Sequence, residues 1–548
     1  MHINPSKVLS TIAAATAMML ALAGCGAQSN NASKTGGSAD GGTITAMNAE
    51  PATALLPGNT NATTGGKVLD LIFSQLVAFD ASGKPVNEVA KEIKSNDNAT
   101  QFTITLKDGW KFTDGTPVTS ESFTKAWSYA ANATNAQINA NFFSNIKGYD
   151  KLQAKGVASD AQLDGLKVVD DKTFTVDLST PDSNFPIKVG YTGFAPLPEA
   201  FFKDPKGFAE KPIGNGAYKF VKWEHNKEID VVKNPDYKGN FPAKNAGVNF
   251  ILYTSPQSAY ADVLSGNLDV MDSVPATVAG NLKTAKNVQV YNKAGSSISL
   301  FVITQDYPHF GPGKEGQLRR QAISMAINRE QICDKIMSGL CTPATDFTAP
   351  AINGHSESLK GVENLSYNPD KAKELWAEAN KISPWDGTFE IAYNTDGGMK
   401  SMWDAVINSI KNTLGIDAAT QIFATGAELS EVTDGRTLHK PHRMGWSPDY
   451  PSIENYLTSL YATSAADGNG ANTGDYKNPE FDALLAKGNQ ESSTDAAIKD
   501  YQAAEEILLN DLPSVPLYYT NANGVANKNL KNFEFNWQNS PIYRDMTK

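Results

Sequence analysis

The chain has 548 residues, of which 41% are hydrophobic and 20% are charged, and its formal net charge is −11 at pH 7. This length is sufficient for two or three domains with substantial cores, and the composition is that of an ordinary globular protein. The acidic balance argues against a nucleic-acid-binding protein, which needs clustered Lys and Arg.

The first 25 residues have the layout of a secretory signal. A short basic start precedes the apolar residues 8–23, which are too few and too rich in Ala for a convincing membrane span, and the segment ends in Leu22-Ala23-Gly24-Cys25. These four residues resemble the bacterial lipobox, which predicts cleavage after residue 24 and a lipid on the Cys25 thiol. The alternative is an ordinary cleaved signal with an incidental cysteine.

Residues 25–42 predict a flexible tether, because they are mainly Ser, Gly, Asn and Ala without any apolar period. We therefore expect an extracytoplasmic protein body that is anchored to the cell membrane through the lipid. No later apolar run approaches the length that crosses a membrane.

Three strand patterns follow in chain order. Residues 101–107 alternate apolar and polar side chains before an Asp-Gly turn, and residues 167–169 and 173–178 form a second pattern across a short turn. Residues 218–223 and 228–233 predict a hairpin. Since helical patterns accompany these strands, the sequence predicts an α/β fold of the mixed α+β kind, with more than one sheet.

Helical periodicity is clearest in the second half of the chain. Residues 318–338 place apolar side chains near one face and are predicted as a single helix that ends at Gly339. Asn368 and Pro369 are typical of a helix start, as cap and first-turn residue. Residues 495–509 predict another helix, which leads into a strand over residues 517–520.

Two cysteines remain after the signal, Cys333 and Cys341, eight residues apart. In an exported protein such a pair predicts a small-loop disulfide. Two buried free thiols are the alternative, because the required Cα separation is narrow.

The sequence contains no complete catalytic or metal-binding motif. The six histidines include no HExxH or HxH pattern, and no GxSxG string occurs. Ser122 and Lys125 match SxxK without the accompanying motifs of the penicillin-binding class, and Gly65-Gly66-Lys67 lacks the remainder of a phosphate-binding loop. We therefore expect neither a metal nor a cofactor, and a binding protein in place of an enzyme.

Several strings occur in the order in which one family carries them. The following resemble signature segments of the bacterial family 5 extracytoplasmic solute-binding proteins: residues 112–119 (FTDGTPVT), 214–219 (GNGAYK) with Trp223, 233–237 (KNPDY), 320–330 (RQAISMAINRE), 445–450 (GWSPDY), 478–482 (NPEFD) and 515–519 (VPLYY). The ordered set spans most of the chain. The best-known members with this pattern are oligopeptide- and dipeptide-binding lipoproteins.

The resemblance implies a two-lobed clamp of the periplasmic-binding-protein kind, with an extra domain inserted in the first lobe. Residues 43–66, 184–294 and 507–548 are expected to form lobe one, residues 67–183 the extra domain, and residues 295–506 lobe two. Such a monomer closes on a short peptide by a hinge and delivers it to the permease subunits of an ABC importer. The binding protein itself breaks no bond.

In peptide-binding members the aspartate of the GWxxDY string pairs with the peptide α-ammonium, which assigns that role to Asp449. A carboxylate in a closed, dry cleft recognises an ammonium group strongly. The alternative is a turn aspartate satisfied by nearby backbone after Pro448. The resemblance also implies that the main chain around Gly445 and Ser447 pairs with the ligand backbone.

The other expected contacts are less specific. Arg443 either meets a ligand carboxylate or forms a structural ion pair. Trp446 is either a core residue or a platform for the ligand, and Tyr450 belongs to the same string. Phe142 is expected to reach the cleft from the extra domain, and Asn61 to line the wall of the first lobe.

Three alternatives to a peptide importer component stay open. The first is a member of the same family that binds an oligosaccharide, a nickel chelate, haem or an opine. The second is an exported hydrolase, for which the sequence offers no pairing of nucleophile and base. The third is a signalling or adhesion role, in which a receptor reads the captured ligand.

Overall fold

The computed structural model describes residues 41–280, 282 and 285–548. The predicted signal, Cys25 and all but the last two residues of the predicted tether lie outside the described residues. Within the described part of the chain, no helix combines the length and the apolar character needed to cross a membrane.

The strands of the described residues are numbered in chain order. They are β1 (Thr43–Asn48), β2 (Val77–Phe79), β3 (Pro85–Asn87), β4 (Ala90–Ser95), β5 (Gln101–Leu106), β6 (Leu166–Asp170), β7 (Thr173–Asp177), β8 (Tyr218–Glu224), β9 (Glu228–Lys233), β10 (Gly247–Leu252), β11 (Val270–Met271), β12 (Val288–Val302), β13 (Cys341–Pro343), β14 (Phe389–Asn394), β15 (Ala418–Phe423), β16 (His442–Trp446) and β17 (Ser514–Asn527).

The α-helices are numbered in the same way. They are α1 (Thr63–Ile72), α2 (Ser120–Ala131), α3 (Tyr149–Leu152), α4 (Phe185–Lys188), α5 (Glu199–Lys203), α6 (Pro205–Glu210), α7 (Pro256–Ser265), α8 (Ala276–Ala279), α9 (Lys314–Met325), α10 (Arg329–Gln331), α11 (Pro369–Ile382), α12 (Lys400–Leu414), α13 (Gly426–Asp434), α14 (Glu454–Tyr461), α15 (Pro479–Asn489) and α16 (Thr494–Asp511).

Two long antiparallel strands, β12 and β17, lie at the centre of an eleven-stranded mixed sheet with the order β15-β14-β16-β12-β17-β11-β1-β10-β9-β8, in which β13 also pairs with β17. The part built on β1 and β8–β11 is here called the first lobe, and the part built on β14–β16 the second lobe. Because β12 and β17 pair with strands of both lobes, they connect the two along the middle of the sheet.

A separate four-stranded sheet, β4-β5-β7-β6, packs against the core of the first lobe. Strand β5 alternates buried and half-exposed side chains, as the sequence predicted, and β6 and β7 form the predicted antiparallel pair. The Trp127 indole of α2 lies in the aromatic core and donates to the Phe194 carbonyl over 2.9 Å. The hairpin of β8 and β9 is also confirmed.

Helix α11 begins as the sequence predicted. The Asn368 side chain accepts a hydrogen bond from the Lys371 N–H, and Pro369 occupies the first turn. The predicted helix over residues 495–509 is confirmed as α16. The strand predicted over residues 517–520 is part of the longer β17.

The single helix predicted over residues 318–338 is wrong. Helix α9 ends at Met325, and a new start follows at Asn328, whose side chain accepts from the Gln331 N–H before α10 and a π-helical turn, Ile332–Ile336. The break turns the buried Arg329 guanidinium toward the carbonyls of Pro516 and Leu365, at 2.8 and 2.6 Å. Ile336, predicted on the apolar face, is 40% exposed.

The structure joins Cys333 and Cys341 by a disulfide, with Cα atoms 5.2 Å apart. Cys333 lies in the π-helical turn and Cys341 begins β13, and both residues are buried. The separation lies within the range that a disulfide requires.

Two of the expected domain limits fall inside helices. Helix α1 runs through residues 66 and 67, and α16 runs through residues 506 and 507. Neither helix is interrupted there, and α16 buries apolar side chains on both sides of the limit.

Candidate ligand-binding cleft

A cavity of about 510 Å³ separates the two lobes beside the central strands. The first lobe contributes the start of α1 and the preceding loop, including Asn61, and β12 contributes Ser296 and Ser297. The second lobe contributes Ser447 and Asp449, which directly follow β16. The cavity therefore brings together three of the residues that the sequence predicted: Asn61, Ser447 and Asp449.

Asp449 borders two further cavities, of about 100 and 220 Å³. Asn455 Nδ2 donates to its carboxylate over 3.3 Å, and no lysine, arginine or histidine of the described residues forms an ion pair with it. Burial raises the pKa of Asp449 above its ordinary value, and the hydrogen bond from Asn455 acts in the opposite direction. A partly buried carboxylate without a cation is chemically suited to a positively charged ligand group.

Asp70 of α1 is a second carboxylate on this cleft, and the sequence analysis missed it. It lines both the cavity of about 510 Å³, here called the main cavity, and the cavity of about 100 Å³. Its carboxylate accepts a hydrogen bond from the Thr192 hydroxyl. Its carboxylate is open to the cleft but surrounded by protein atoms, and this desolvation raises its pKa, whereas the Thr192 bond and the Arg544 charge lower it. The only sequence signal was a polar residue within the apolar run of residues 68–72.

The Tyr191 ring lies close to both of these carboxylates. Burial raises the pKa of the Tyr191 hydroxyl, and the charges of Asp449 and Asp70 raise it further. The hydroxyl donates to Asn139 Oδ1 over 3.4 Å, and the ring packs on Phe142 with centroids 4.5 Å apart. Tyr191 was also missed, because no motif marks it.

The third carboxylate of the main cavity is already paired. Asp272 forms an ion pair with Lys67 of α1, and both side chains are almost fully buried. Lys67 therefore neutralises an acid in the cleft wall, and the Gly65-Gly66-Lys67 string lies within α1.

A hydrogen-bonded chain joins the central strand to the second lobe. The Ser297 and Ser447 hydroxyls are 2.7 Å apart, and Asn539 Nδ2 donates to Ser297 Oγ over 3.3 Å. Asn539 Oδ1 also accepts from the Ser296 N–H over 3.0 Å. Gly295 is required beside this contact, because a Cβ there would lie 2.3 Å from Asn539 Oδ1.

Strand β16 has one free edge beside Asp449. Its residues pair with β12, Gly445 opposite Ser299 and Trp446 opposite Ile298, whereas β14 meets it only at His442. Among the described residues, no strand pairs with residues 443–446 on the side away from β12. Such an edge can accept an extended ligand backbone.

Trp446 and Phe142 line the cavity of about 220 Å³ together with Tyr450 and Asp449. The Trp446 indole donates to Asn455 Oδ1 over 2.8 Å, and the ring is half-buried. Tyr450 is 5% exposed, and its hydroxyl donates to Glu454 over 2.6 Å. Trp446 therefore combines a structural hydrogen bond with a place on a cavity wall.

Arg443 lies apart from these residues. It lines none of the three cavities that Asp449 borders, and its charge contributes to lowering the pKa of Asp396. Gly445 also does not line them, although it adjoins the free edge of β16. Among the described residues, no group of three or more His, Cys, Asp or Glu side chains is arranged to hold a metal ion.

Residues 84–468 match the family described as bacterial extracellular solute-binding proteins, family 5. The chain belongs to this family. It is 29% identical over 465 residues to the periplasmic murein peptide-binding protein MppA of Escherichia coli (strain K12), with 83% of each chain covered. It is 25% identical over 500 residues to the oligopeptide-binding protein OppA of Bacillus subtilis (strain 168), with 87% of each chain covered.

The solved structures include the unliganded open form of the murein tripeptide-binding protein MppA. The match has a TM-score of 0.80 and 26% identity, and it covers 93% of this chain and 98% of that one. This similarity confirms the mixed α/β class and the two-lobed fold that the sequence resemblance implied. The relatives in this family are binding proteins, as expected for a chain without a catalytic motif.

Proposed function

We propose that this protein captures short peptides between its two lobes and delivers them to the permease of an ABC importer. The observation that carries the proposal is the Asp449 carboxylate, which has no cation partner among the described residues and borders three cavities. The two relatives, a murein peptide-binding and an oligopeptide-binding protein, support the same ligand class.

Asp449 binds the α-ammonium group of the peptide. When the lobes close and water leaves, the attraction between carboxylate and ammonium strengthens because the local dielectric falls. The ligand then supplies the positive charge that the protein does not, and Asn455 keeps the carboxylate oriented toward it.

The peptide backbone pairs with the free edge of β16 near Gly445 and Ser447. Main-chain hydrogen bonds of this kind do not depend on side-chain identity, so one cleft accepts many sequences. The cavities of about 510 and 220 Å³ supply room for different side chains, with Asn61 on one wall and Trp446, Tyr450 and Phe142 on the other.

Arg443 stands outside these cavities, so its role as a partner for a ligand carboxylate requires a peptide that extends along β16 past Gly445. The expected division into lobe one, extra domain and lobe two fits this picture, because β12 and β17 provide the connection at which the lobes close. The monomer acts outside the cytoplasm, held to the membrane by a lipid on Cys25, and breaks no bond in its ligand.

Native mass spectrometry and calorimetry test the proposal. The protein purified from its host is expected to carry a mixture of short peptides. Ala-Ala-Ala is expected to bind the stripped protein, whereas N-acetyl-Ala-Ala-Ala, which lacks the α-ammonium group, binds far more weakly. Asp449→Asn removes the charge with little change in size and is expected to lose about 2–5 kcal/mol of binding free energy.

The matched control is Asp97→Asn, which removes the same charge from an exposed turn that lines none of the three cavities. This variant is expected to bind Ala-Ala-Ala like the wild type. Equal affinity for the free and acetylated peptides would show that Asp449 does not bind the α-ammonium group. A bound sugar, chelate or haem in place of peptides would overturn the proposed ligand class.

A further inference from the structure

The smallest of the three cavities, of about 100 Å³, is a side pocket of the ligand cleft. Five residues line both the side pocket and the main cavity and so mark its mouth: Asp70, Tyr191, Thr192, Asp449 and Gln538. The side chain of a peptide residue whose α-ammonium group lies at Asp449 can therefore enter this pocket directly.

Two hydrogen-bond donors in the pocket wall have no partner among the described residues. Gln75 is 7% exposed, and its buried Nε2 donates to no acceptor in the described part of the chain. Arg544 lies in the 3-10 turn Tyr543–Asp545 near the end of the chain, and its buried Nε is also without an acceptor. Both side chains line the pocket.

The Arg544 guanidinium packs over the Phe241 ring, 4.3 Å from its centroid, which fixes the group at the pocket wall. No carboxylate of the described residues lies within ion-pair distance of it, although burial raises the pKa of Asp70 and the Arg544 charge offsets part of this rise. A partly buried guanidinium without an anion is costly, and a carboxylate from a ligand removes that cost with charge-assisted hydrogen bonds.

The acidic groups of the pocket leave room for such an anion. The Glu88 carboxylate is occupied by the Tyr237 hydroxyl and by the backbone and side-chain N–H groups of Asn240. Asp70 and Asp449 lie at the mouth, where Asp70 accepts from Thr192 and Asp449 faces the peptide ammonium in the proposed complex.

We infer that this side pocket selects peptides whose N-terminal residue carries a carboxylate, which Arg544 and Gln75 bind. The inference rests on the proposed function, because it assumes an α-ammonium group at Asp449. A pocket of about 100 Å³ holds roughly three to four groups the size of a water molecule. This volume is sufficient for the side chain of glutamate or aspartate.

Calorimetry with Glu-Ala-Ala, Gln-Ala-Ala and Ala-Ala-Ala tests the inference on the purified protein. The wild type is expected to bind Glu-Ala-Ala about tenfold more tightly than the other two peptides, as one charge-assisted contact predicts. Arg544→Met is expected to reduce this preference to about unity while its affinity for Ala-Ala-Ala changes by less than about twofold.

Gln75→Leu provides a second variant that does not disturb the contact of Arg544 with Phe241. It is expected to reduce the preference for Glu-Ala-Ala about threefold, because only the neutral donor is lost. Lys531→Met is the matched control, since it removes a positive charge from an exposed position in the same C-terminal segment outside the pocket lining. This control is expected to keep the full preference.

The outcomes separate the two proposals. If the wild type binds none of the three peptides, the proposed function fails. If it binds all three equally, or if the preference for Glu-Ala-Ala survives in Arg544→Met, the side-pocket inference is overturned and peptide binding stands. Equal affinity for the glutamate and glutamine peptides would overturn the requirement for a carboxylate.

Discussion

The Asn455 amide holds Asp449 from two sides: its Nδ2 donates to the carboxylate over 3.3 Å, and its Oδ1 accepts from the Asp449 N–H over 3.1 Å. The same Oδ1 accepts from the Trp446 indole over 2.8 Å. Asn455 lies in α14 of the second lobe, so this helix orients the residue to which we assign the peptide ammonium.

Replacing Asn455 tests this arrangement. Asn455→Ala is expected to weaken Ala-Ala-Ala binding about tenfold, because it removes one hydrogen bond to a charged group. Calorimetry measures the affinity, and a thermal melt shows whether the variant stays folded. Unchanged affinity in a folded variant would show that Asn455 does not position the carboxylate.

The pH dependence of binding gives a second test of Asp449. Burial raises its pKa, and the bond from Asn455 lowers it because it favours the charged form. Peptide affinity is therefore expected to be full above the pKa of the free protein and to fall as the pH decreases through it. In Asn455→Ala the decline is expected to begin at a higher pH, and a decline at the same pH in both proteins would contradict this assignment.

Two buried acids in the second lobe make stability depend on pH. Burial raises the pKa of Asp346 to about 6, and burial together with the Asp346 charge raises the pKa of Glu505 well above its ordinary value. The folded state thus holds more protons than the unfolded chain, so stability is lost as the pH rises from about 4 through the folded-state pKa values, which is about 6 for Asp346. Below the unfolded pKa values this cost is absent.

Glu505→Gln is expected to increase the free energy of unfolding at pH 8 by about 2 kcal/mol and to have a much smaller effect at pH 4. Urea denaturation at both pH values measures the difference. Glu92→Gln, an exposed residue of β4, serves as the control and is expected to change little at either pH. An equal effect of Glu505→Gln at both pH values would refute the buried-acid explanation.

Lys188 neutralises carboxylates of two different segments. Its Nζ lies 2.7 Å from Asp182 and 4.0 Å from Glu454 of α14, and it stands over the Tyr450 ring. Lys188→Met leaves these buried acids without a cation and is expected to cost about 3–5 kcal/mol of unfolding free energy.

The triple variant Lys188→Met, Asp182→Asn, Glu454→Gln removes all three charges and is expected to recover most of this loss. Lys211→Met is the control, because this exposed lysine forms no ion pair with any residue that the structure describes, and it is expected to have little effect. A triple variant as unstable as Lys188→Met would show that packing, and not the unpaired charge, causes the loss.

The bond between Cys333 and Cys341 is open to direct chemical test. Without reductant, neither cysteine of the denatured protein is expected to react with iodoacetamide, and both are expected to react after reduction. Replacing both with alanine is expected to lower the unfolding free energy by about 2–4 kcal/mol. Labelling of both thiols without reductant would show that the bond does not form in solution.

Local signals in the sequence predicted the elements that depend on neighbouring residues. The β8–β9 hairpin and the cap of Asn368 on α11 depend on interactions between residues close together in the sequence, and both are confirmed. The resemblance over residues 445–450 identified Asp449 as a candidate, because a motif keeps its order along the chain. Family, fold class and one ligand-binding candidate therefore followed from the sequence alone.

Tertiary structure decided what depends on contacts between distant segments. The helix predicted over residues 318–338 breaks after Met325, and beyond the break the Arg329 guanidinium binds carbonyls of β17 and of the segment before α11, contacts that no local pattern indicates. Folding brings α1, the loop after it and the C-terminal turn to one cleft. Only for this reason does one cavity have Asp70, Gln75 and Arg544 in its lining together with Asp449. Burial and the charges of these neighbours, which set the pKa of each group, arise only when the chain has folded.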